Sequence, residues 1–599
     1  MPPQSYPHPT GQHDRPPTPA APPRPATATG SAGRPAPNSD PNAVSPPARP
    51  DTIRIDTSAT PHGHHDIFVA AMFPDPDPDH TTPQPRSCAS RRPAQRLPTL
   101  GYTCPAQRHT GGRAAPAGMV PRRSALDASE RQISMRVLFT PYPSFAHQLP
   151  IVPLAWAFQN AGHEVRVATH TSFVDAVVAA GLTPVPLGEP GTIEPRIRDD
   201  APQPKNPDEV LHYADVLGLN AEEREHWITF YQYFLAPAGD YVRLDLPEAD
   251  ELITFAGNWR PDLILWDPLF TSAPVAARTC GAAHARILFG TDVFAWSLDR
   301  LTEHREQLRA AGLPENPLAD VVRPLAQRYG VGVDTELLVG QWTIDPMPAG
   351  FGPPTSVETI RMRYVPYSGA ETFQPWLHQR PDRPRVALSL GESTRRFISG
   401  DWDRLPRILD ALADLDVEVI ATLNDLQLQG IERIPDNVRT IEWIPLTHLM
   451  PTCSAIIHHG GVGTYAAACA SRVPQLICDT EESVLLLQDT QSTESDTGTY
   501  QAGREFGVRE ETPTETIRWV LPAKSLIATP VSNYIINKGA GVRLNHRSLT
   551  TEEIGEQILR VVNDPTYRDG ANNTYQTWLA TPSPADIVTT FERLTRKAA

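Results

Sequence analysis

A histidine pair followed by a glycine-rich turn is the stretch of this sequence with the clearest chemistry. Residues 456–464 read IIHHGGVGT, which predicts the end of a buried strand, a turn, and a helix that opens at Thr464. Such a turn points unpaired backbone N–H groups outward, and the positive end of the helix dipole adds to them. Glycine lets the backbone approach an anion closely, and a neighbouring histidine can donate a hydrogen bond to it. The stretch therefore predicts a site for a phosphate-bearing ligand.

Two other interpretations of the same glycines stay open at this point. Gly461 and Gly463, with Ala466 three residues on, fit the loose dinucleotide fingerprint, and Asp479 could accept hydrogen bonds from a ribose. The turn could also serve only to pack a helix on a strand, with no ligand. The rest of the chain has to separate these three interpretations.

His147 and Asp267 are a second pair of chemical interest, since each follows a predicted buried strand. His147 lies in the loop after a strand at 135–140, and Asp267 ends a strand that starts near 261. Ligands of parallel sheets bind outside the carboxyl ends of the strands, where both side chains fall. A neutral histidine can remove a proton from a hydroxyl near pH 7, and a carboxylate can orient the ring and stabilise its charged form. The alternatives are a histidine that contacts only solvent or backbone, and an aspartate that caps the following turn.

Two successive runs of alternating strand and helix position these residues. The predicted strands lie at 135–140, 164–168, 261–267 and 285–289, and then at 385–390, 417–422, 439–445, 455–457 and 475–478. A strand, a helix and a second strand in close succession form a βαβ unit, so each sheet is expected to be parallel. A last helix is predicted to be capped by Ser583, with Ile587, Val588, Phe591 and Leu594 on one face.

Charge and composition exclude several classes of protein. The 599 residues carry a formal net charge of −16, which argues against a nucleic-acid partner or an anionic membrane surface. Six scattered cysteines form no CxxC pair and no zinc-like spacing, so we expect reduced thiols. The sequence has neither an apolar run of membrane-spanning length nor a secretory signal, which predicts a soluble, cytoplasmic protein.

Two segments have compositions unlike the rest of the chain. Residues 1–134 are rich in proline and poor in aliphatic residues, so we expect a disordered extension, with Met135 as a candidate start of the functional chain. The runs at 62–66 and 75–80 look like metal ligands, but a flexible tail favours solvated polar residues there. Residues 479–528 are rich in Asp, Glu, Ser and Thr, which predicts a functional loop or a disordered insertion.

From residue 135 to its end, the chain resembles the GT-B glycosyltransferases of actinomycete antibiotic pathways. It is most similar to the activator-dependent deoxysugar transferases typified by the erythromycin-type desosaminyltransferases. The stretches that carry the resemblance read VPLAWAFQNAGHEVRVA, WRPDLILWDPL, VGQWTID, MRYVPY, IPDNVRT, PTCSAIIHHGGVGT and GAGVRL. The resemblance implies two facing Rossmann-like domains and an inverting transfer from a dTDP-deoxysugar, with no metal and no cofactor. It also implies a helper protein that resembles a haem-less cytochrome P450.

The resemblance and the composition together divide the chain into segments. These are a disordered Pro-rich extension (1–134), an N-terminal acceptor domain (135–350), an interdomain linker (351–384), a C-terminal nucleotide-sugar domain (385–582, with the insertion at about 479–528), and a helix that crosses back to the first domain (583–599).

Residue roles follow from the positions that match the family's motifs. His147 matches the catalytic base, with Asp267 as its partner. The residues that match the donor diphosphate site are Ser393, His459, Gly460, Gly461, Gly463 and Thr464, with His459 favoured over His458. Trp443 and Ile444 fall where relatives hold the nucleobase, although core packing is the alternative for Trp443.

Asp479, Glu481 and Glu482 are candidates to hold the sugar hydroxyls. For an aromatic-rich helical face formed by Trp227, Phe230, Tyr231, Tyr233 and Phe234, helix packing is one interpretation and a wall for a bulky apolar acceptor is the other.

We therefore expect transfer of a deoxysugar to a hydroxyl of a polyketide-type aglycone, macrolide or aromatic, in antibiotic biosynthesis. One alternative is a non-catalytic homologue that binds the sugar nucleotide and acts as a subunit. A nicotinamide-dependent oxidoreductase is a further alternative, which the histidine pair ahead of the glycines disfavours.

Overall fold

Two parallel β-sheets with flanking helices organise the part of the chain that the computed structural model describes. That part comprises residues 134–188, 207–240, 242, 244, 247–391, 398–399, 404–428, 431–478, 486–487, 510–511, 517–518 and 528–598. The predicted extension, apart from Ser134, and most of the predicted insertion lie outside it. None of the helices among the described residues has the length and hydrophobicity that a membrane crossing requires.

The first sheet consists of seven strands. They are β1 (Arg136–Thr140), β2 (Glu164–His170), β3 (Pro184–Leu187), β4 (Leu263–Trp266), β5 (Ala283–Ile287), β6 (Trp342–Asp345) and β7 (Thr359–Arg361). The helices of this half are α1 (Phe145–Gln148), α2 (Val152–Asn160), α3 (Val174–Ala179), α4 (Pro207–Val216), α5 (Ala221–Thr229), α6 (Leu235–Asp240), α7 (Pro247–Trp259), α8 (Ser272–Cys280), α9 (Val293–Glu303), α10 (Arg305–Ala310), α11 (Pro317–Arg328) and α12 (Thr335–Val339). A π-helical segment, Phe230–Phe234, joins α5 to α6.

The strands of the first sheet are covered on both faces, which is why the sequence shows continuous apolar runs there. Along β1, Val137 and Phe139 pack into one core cluster, and Leu138 packs into another on the opposite face. The sheet order is β3-β2-β1-β4-β5-β6-β7, and Thr140 at the end of β1 is in register with Trp266 at the end of β4. The loops that follow β1 and β4 therefore leave the sheet side by side.

The second sheet follows in the chain. The strands of this half are β8 (Arg385–Ser389), β9 (Ile398–Ser399), β10 (Glu418–Thr422), β11 (Val438–Ile441), β12 (Ala455–His458), β13 (Gln475–Ile477), β14 (Leu486–Leu487), β15 (Glu510–Glu511), β16 (Ile517–Arg518) and β17 (Gly541–Arg543). The helices are α13 (Arg404–Ala413), α14 (Asp425–Leu428), α15 (Leu446–Leu449), α16 (Val462–Ser471), α17 (Ala528–Asn537), α18 (Thr551–Asn563), α19 (Pro565–Ala580) and α20 (Pro584–Ala598). Strands β9 and β14, and strands β15 and β16, form separate antiparallel pairs.

The two sheets share one topology. The six-stranded second sheet has the order β11-β10-β8-β12-β13-β17, so its first strand is central and the order reverses between β8 and β12, as it does between β1 and β4. Such a switch point leaves a crevice at the carboxyl ends of the strands, where ligands of open α/β sheets bind. The prediction of two Rossmann-like parallel sheets is confirmed.

The last helix, α20, packs on the first half of the molecule. It begins after Ser583, whose Oγ accepts the backbone N–H of Asp586 at 3.3 Å. The Phe591 ring lies 6.4 Å from the ring of Phe158 in α2 and 6.2 Å from the ring of Trp342 in β6. The α20 residues that belong to the core cluster of β1 and α2 are Ile587, Val588 and Phe591. The C-terminal end of the chain therefore completes a core that its N-terminal domain begins.

Candidate active site

His147 and Asp267 meet at the switch point of the first sheet. His147 lies in α1, just after β1, and Asp267 directly follows β4. The distance from His147 Nδ1 to Asp267 Oδ2 is 2.6 Å, and the two side chains are only 13% and 6% exposed. The other carboxylate oxygen accepts the backbone N–H of Leu269 at 2.9 Å. Asp267 is therefore held by the chain on one side and holds the imidazole on the other.

This contact fixes the tautomer of the His147 ring. An ionised carboxylate only accepts hydrogen bonds, so the ring carries its proton on Nδ1 and presents a lone pair on Nε2. When Nε2 takes up a proton, the neighbouring carboxylate stabilises the positive charge on the ring. The pair can therefore act as a general base toward a hydroxyl that reaches Nε2.

Aromatic rings lie against this base. The His147 ring centroid is 4.2 Å from that of Phe289 and 5.3 Å from that of Tyr142. Phe234, at the end of the π-helical segment, is 5.7 Å from Phe289 and 5.9 Å from Phe294. Tyr142, Phe234 and Phe289 are all half-buried. Together these three residues form what we call the aromatic surface beside His147.

The residues of the predicted aromatic face divide between the core of the first half and the aromatic surface beside His147. Trp227, Phe230 and Tyr231 are buried in the core cluster on one face of the first sheet, so the packing interpretation is confirmed for them. Phe234 instead reaches the aromatic surface. The side chain of Tyr233 lies outside the described part of the structure.

A buried ion pair holds the loop that carries Phe289. Arg286 in β5 is fully buried and makes a bidentate pair with Asp292, at 3.0 and 2.7 Å. The same guanidinium donates to the carbonyl of Val339 at 2.6 Å and to Thr343 Oγ1 at 2.9 Å. Asp292 also caps α9. Because a bidentate pair adds geometric constraint as well as energy, it fixes the course of the chain between residues 286 and 292.

Two other buried groups of the first half have shifted pKa values. Burial, with a smaller effect of Arg278, lowers the pKa of His284 to about 4. Burial raises the pKa of Asp345 to about 6, although the neighbouring Arg361, at 2.5 Å, opposes the shift. His284 is therefore neutral at pH 7, and Asp345 is largely ionised beside its arginine.

His458 and His459 have different environments at the switch point of the second sheet. His458 ends β12 and is fully buried; its Nδ1 accepts the N–H of Gly460 at 3.1 Å. Its Nε2 lies 3.0 Å from the side-chain oxygen of Gln475, which only accepts, so Nε2 carries the proton. A neutral His458 thus holds the turn, whereas His459 is half-buried at its surface.

Three glycines around His459 occupy positions that exclude side chains. A β-carbon on Gly391, just after β8, or on Gly461 would overlap the His459 imidazole. Gly460 has a φ of +88°, and a β-carbon there would overlap the backbone of Ala528 in α17. Glycine is needed here because the turn, the imidazole and α17 approach one another closely.

Helix α16 begins at Val462, two residues before the predicted start at Thr464. Gly461 is the N-cap residue, a position that accepts glycine, and Gly463 lies in the first turn, where the N–H groups have no intrahelical partner. No side chain of the described residues caps this helix, and the Thr464 side chain is buried. The N–H groups of the first turn and the helix dipole can therefore receive an anion.

The residues predicted at the nucleobase lie in a loop. Strand β11 ends at Ile441, four residues before the predicted end at Pro445. Ile444 is buried in a core cluster of the second half, whereas Trp443 is half-buried. Their contacts with a base stay a prediction.

Some of the predicted site residues cannot be placed. Ser393, Asp479, Glu481 and Glu482 lie outside the described residues. Within the described part of the chain, no group of three or more His, Cys, Asp or Glu side chains is arranged to hold a metal ion.

Sequence reasoning missed Phe289 and the Arg286–Asp292 pair. The predicted strand at 285–289 is Ala283–Ile287 in the structure, so Phe289 lies beyond its carboxyl end. An aromatic residue at the edge of the sheet that also carries His147 was the signal that could have identified it. Arg286 gave no such signal, because a fully buried arginine is rare unless it is paired.

Two family models match the chain. One is described as erythromycin biosynthesis protein CIII-like, N-terminal domain, and matches residues 156–391. The other is described as the C-terminal domain of the same family and matches residues 406–512. Together they cover more than half of the 599 residues.

Relatives of known activity match over nearly their whole length. The aclacinomycin-T 2-deoxy-L-fucose transferase of Streptomyces galilaeus is 35% identical over 477 residues, 77% of this chain and 96% of the relative. The 10-deoxymethynolide desosaminyltransferase of Streptomyces venezuelae is 35% identical over 470 residues, 77% of this chain and 97% of the relative.

Solved structures show the same extent of similarity. The spinosyn forosaminyltransferase SpnP is 30% identical with a TM-score of 0.56, covering 77% of this chain and 99% of the other. The glycosyltransferase VinC, solved in complex with dTDP, is 28% identical with a TM-score of 0.56, covering 77% of this chain and 100% of the other.

Proposed function

This chain belongs to the erythromycin biosynthesis protein CIII-like family and is a glycosyltransferase, and from this premise we propose a specific reaction for it. The enzyme transfers a deoxysugar from a dTDP-sugar to a hydroxyl of a bulky, apolar polyketide-type aglycone. Transfer inverts the anomeric centre and uses no metal ion. The observation that carries the proposal is the contact between His147 and Asp267 at the first switch point.

His147 is proposed as the general base. The acceptor hydroxyl gives its proton to Nε2 as its oxygen bonds to the anomeric carbon, and Asp267 stabilises the imidazolium that forms. The bond from that carbon to the β-phosphate oxygen breaks, and its electron pair leaves with the diphosphate. Because the base supports attack from the face opposite the leaving group, a single displacement inverts the configuration.

The glycine turn is proposed as the site of the leaving diphosphate. Negative charge grows on the β-phosphate as the sugar departs, and fixed donors directed at that charge stabilise it without reorganisation. The donors here are the first N–H groups of α16, with His459 and the Thr464 hydroxyl. The dTDP complex of the similar protein VinC supports a thymidine nucleotide as the donor.

The aromatic surface of Tyr142, Phe234 and Phe289 is proposed to hold the aglycone. These half-buried rings lie directly beside the base, so an apolar acceptor packed on them would place a hydroxyl near Nε2. The names of two similar proteins, the aclacinomycin-T 2-deoxy-L-fucose transferase and the 10-deoxymethynolide desosaminyltransferase, agree with a large acceptor of this kind.

The experiment that tests the proposal is a product screen with the full-length protein. It is incubated with a panel of dTDP-deoxysugars and polyketide aglycones, with and without a P450-like helper protein, and products are identified by mass spectrometry. We expect a glycosylated aglycone and one equivalent of dTDP. The anomeric configuration of the product, read from its NMR coupling constant, should be opposite to that of the donor. EDTA should leave the rate unchanged. The helper is expected to raise the rate.

Three outcomes would contradict it. Tight dTDP binding without turnover, even with the helper present, would indicate the non-catalytic subunit instead. A product with the donor's anomeric configuration would exclude single displacement. Loss of activity in EDTA, restored by a divalent cation, would exclude the metal-independent mechanism.

A further inference from the structure

The segment after β7 runs from the first half of the molecule to the glycine turn of the second. Met362 packs in the core cluster of the first sheet. Two residues later, Tyr364 packs in a different cluster, with Val462 and Tyr465 of α16. The backbone carbonyl of Tyr364 accepts the indole N–H of Trp578 at 2.8 Å, which ties the segment to α19. We call residues 362–364 the strap.

The strap brings the hydroxyl of Tyr364 to the first turn of α16. The residue is only 9% exposed, and a β-carbon built on Gly463 would lie 3.4 Å from its hydroxyl oxygen. Gly463 is itself exposed and is the second residue of α16. The Tyr364 hydroxyl thus lies at the helix end that we assign to the diphosphate.

No residue of the described chain is a hydrogen-bond partner of the Tyr364 hydroxyl. The ring is buried, but the hydroxyl oxygen is not among the fully enclosed side-chain atoms that lack a partner, so it keeps access to the space beside Gly463, where a bound ligand can become its partner. Burial raises the pKa of Tyr364 above its ordinary value, which keeps the phenol protonated and able to donate. A phosphate oxygen at the helix N-terminus would accept this hydrogen bond.

We infer that Tyr364 is a further ligand of the donor, whose hydroxyl donates a hydrogen bond to a non-bridging oxygen of the nucleoside diphosphate. This inference rests on the proposed function, because it takes the glycine turn as the diphosphate site. It adds a neutral donor to the backbone N–H groups there. It also makes the strap, rather than the second domain alone, part of the donor site.

The test is calorimetric titration of the full-length protein with dTDP and, separately, with thymidine, which lacks phosphates. Tyr364→Phe keeps the ring that packs on Val462 and Tyr465 and removes only the hydroxyl. We expect the Kd for dTDP to rise about ten- to a hundredfold, the usual ratio for a hydrogen bond to a charged group. The Kd for thymidine and the melting temperature should stay at their wild-type values.

The matched control is Tyr367→Phe in the following residues of the chain. The ring of Tyr367 packs on Trp156 in α2, with centroids 5.1 Å apart, and its hydroxyl is not at the glycine turn. This variant should bind dTDP like the wild type.

Three results would overturn the inference. In the first, Tyr364→Phe binds dTDP as tightly as the wild type. In the second, Tyr364→Phe weakens thymidine and dTDP equally, which would indicate a packing role. In the third, the wild type itself does not bind dTDP; that result alone would also remove the donor assignment in the proposed function.

Discussion

The switch points of the two sheets differ in composition. Two side chains are in contact at the first, whereas the second is lined mainly by the backbone of glycine residues. His147 and Asp267 form the first site, and both are largely buried. The second is built from Gly391, Gly460 and Gly461, where a β-carbon would overlap a neighbour. Under the proposed function, the same strand order therefore supports proton transfer at one site and anion binding at the other, because the loops rather than the sheets decide the chemistry.

Under the proposed function, each site nevertheless contains one group that acts on the substrate and one group that orients it. At the first, the N–H of Leu269 fixes the carboxylate of Asp267, which fixes His147. At the second, buried His458 accepts the N–H of Gly460 and so fixes the turn that carries His459. Orientation by a buried neighbour is what a site needs if its geometry is to be ready before the substrate arrives.

The largest difference between the two sites is expected for His147→Ala, which should change kcat but not dTDP binding. Loss of the general base should lower kcat roughly 10²–10⁴-fold. The Kd for dTDP should not change, because His147 lies on the first sheet. Steady-state kinetics and calorimetric titration measure the two quantities.

A double-mutant cycle with Asp267→Asn controls this prediction. An amide at position 267 no longer demands a proton on Nδ1, so the single variant should also be slow. If Asp267 acts through His147, adding Asp267→Asn to His147→Ala should cause little further loss. Full activity of His147→Ala, or a loss of dTDP binding in it, would remove the division of roles between the sheets.

A smaller effect is expected for Gly461→Ala, and it should appear in dTDP binding rather than in kcat. The new methyl group would displace the His459 ring and weaken donor hydrogen bonds to the diphosphate. The Kd for dTDP should rise roughly ten- to a hundredfold, the range for hydrogen bonds to charged groups. Titration with dTDP measures it.

Gly257→Ala is the matched control for that variant. Gly257 lies in α7, with no atom within 4 Å of an added β-carbon, so dTDP binding should be that of the wild type. If Gly461→Ala also bound dTDP normally, the glycine turn would not be the diphosphate site.

The smallest effect is expected for Phe289→Leu, which tests whether the first site has a substrate surface of its own. An aromatic pair contributes about 0.5–1.5 kcal/mol beyond buried area, so the acceptor KM should rise roughly two- to tenfold. The KM for the dTDP-sugar should not change. The control is Phe255→Leu. Phe255 stacks on Trp259 within α7, so this substitution should leave both KM values unaltered. A Phe289→Leu enzyme with an altered donor KM would place the ring outside the acceptor site.

The architecture could be read from the sequence because buried parallel strands are continuous apolar runs with little ambiguity. The placement of His147 and Asp267 at carboxyl ends of strands was equally legible. Their direct contact depends on β1 lying beside β4, although β2 and β3 separate them in the chain. A strand order that reverses cannot be derived from local patterns, and here the family resemblance supplied it.

Other features depend on tertiary packing and left no local pattern. Residue Arg286 reads as a surface charge in a strand, and only its pairing with Asp292 accounts for its burial. The position of Tyr364 at the glycine turn follows from the path of the strap between two cores. Helix α16 begins earlier than predicted, because the low helix propensity of glycine is a weak guide that tertiary packing overrides.

The return of α20 to the first sheet has a consequence for recombination between family members. A hybrid joined once, in the segment between the sheets, would carry a foreign α20 in the core of its first domain, where Ile587, Val588 and Phe591 pack. Parents that differ at these three positions would give a hybrid with a mismatched interior. Exchange of donor specificity should therefore use two junctions. The helix α20 then comes from the same parent as the first sheet, on which it packs, and not from the parent of the second sheet, which precedes it in the chain.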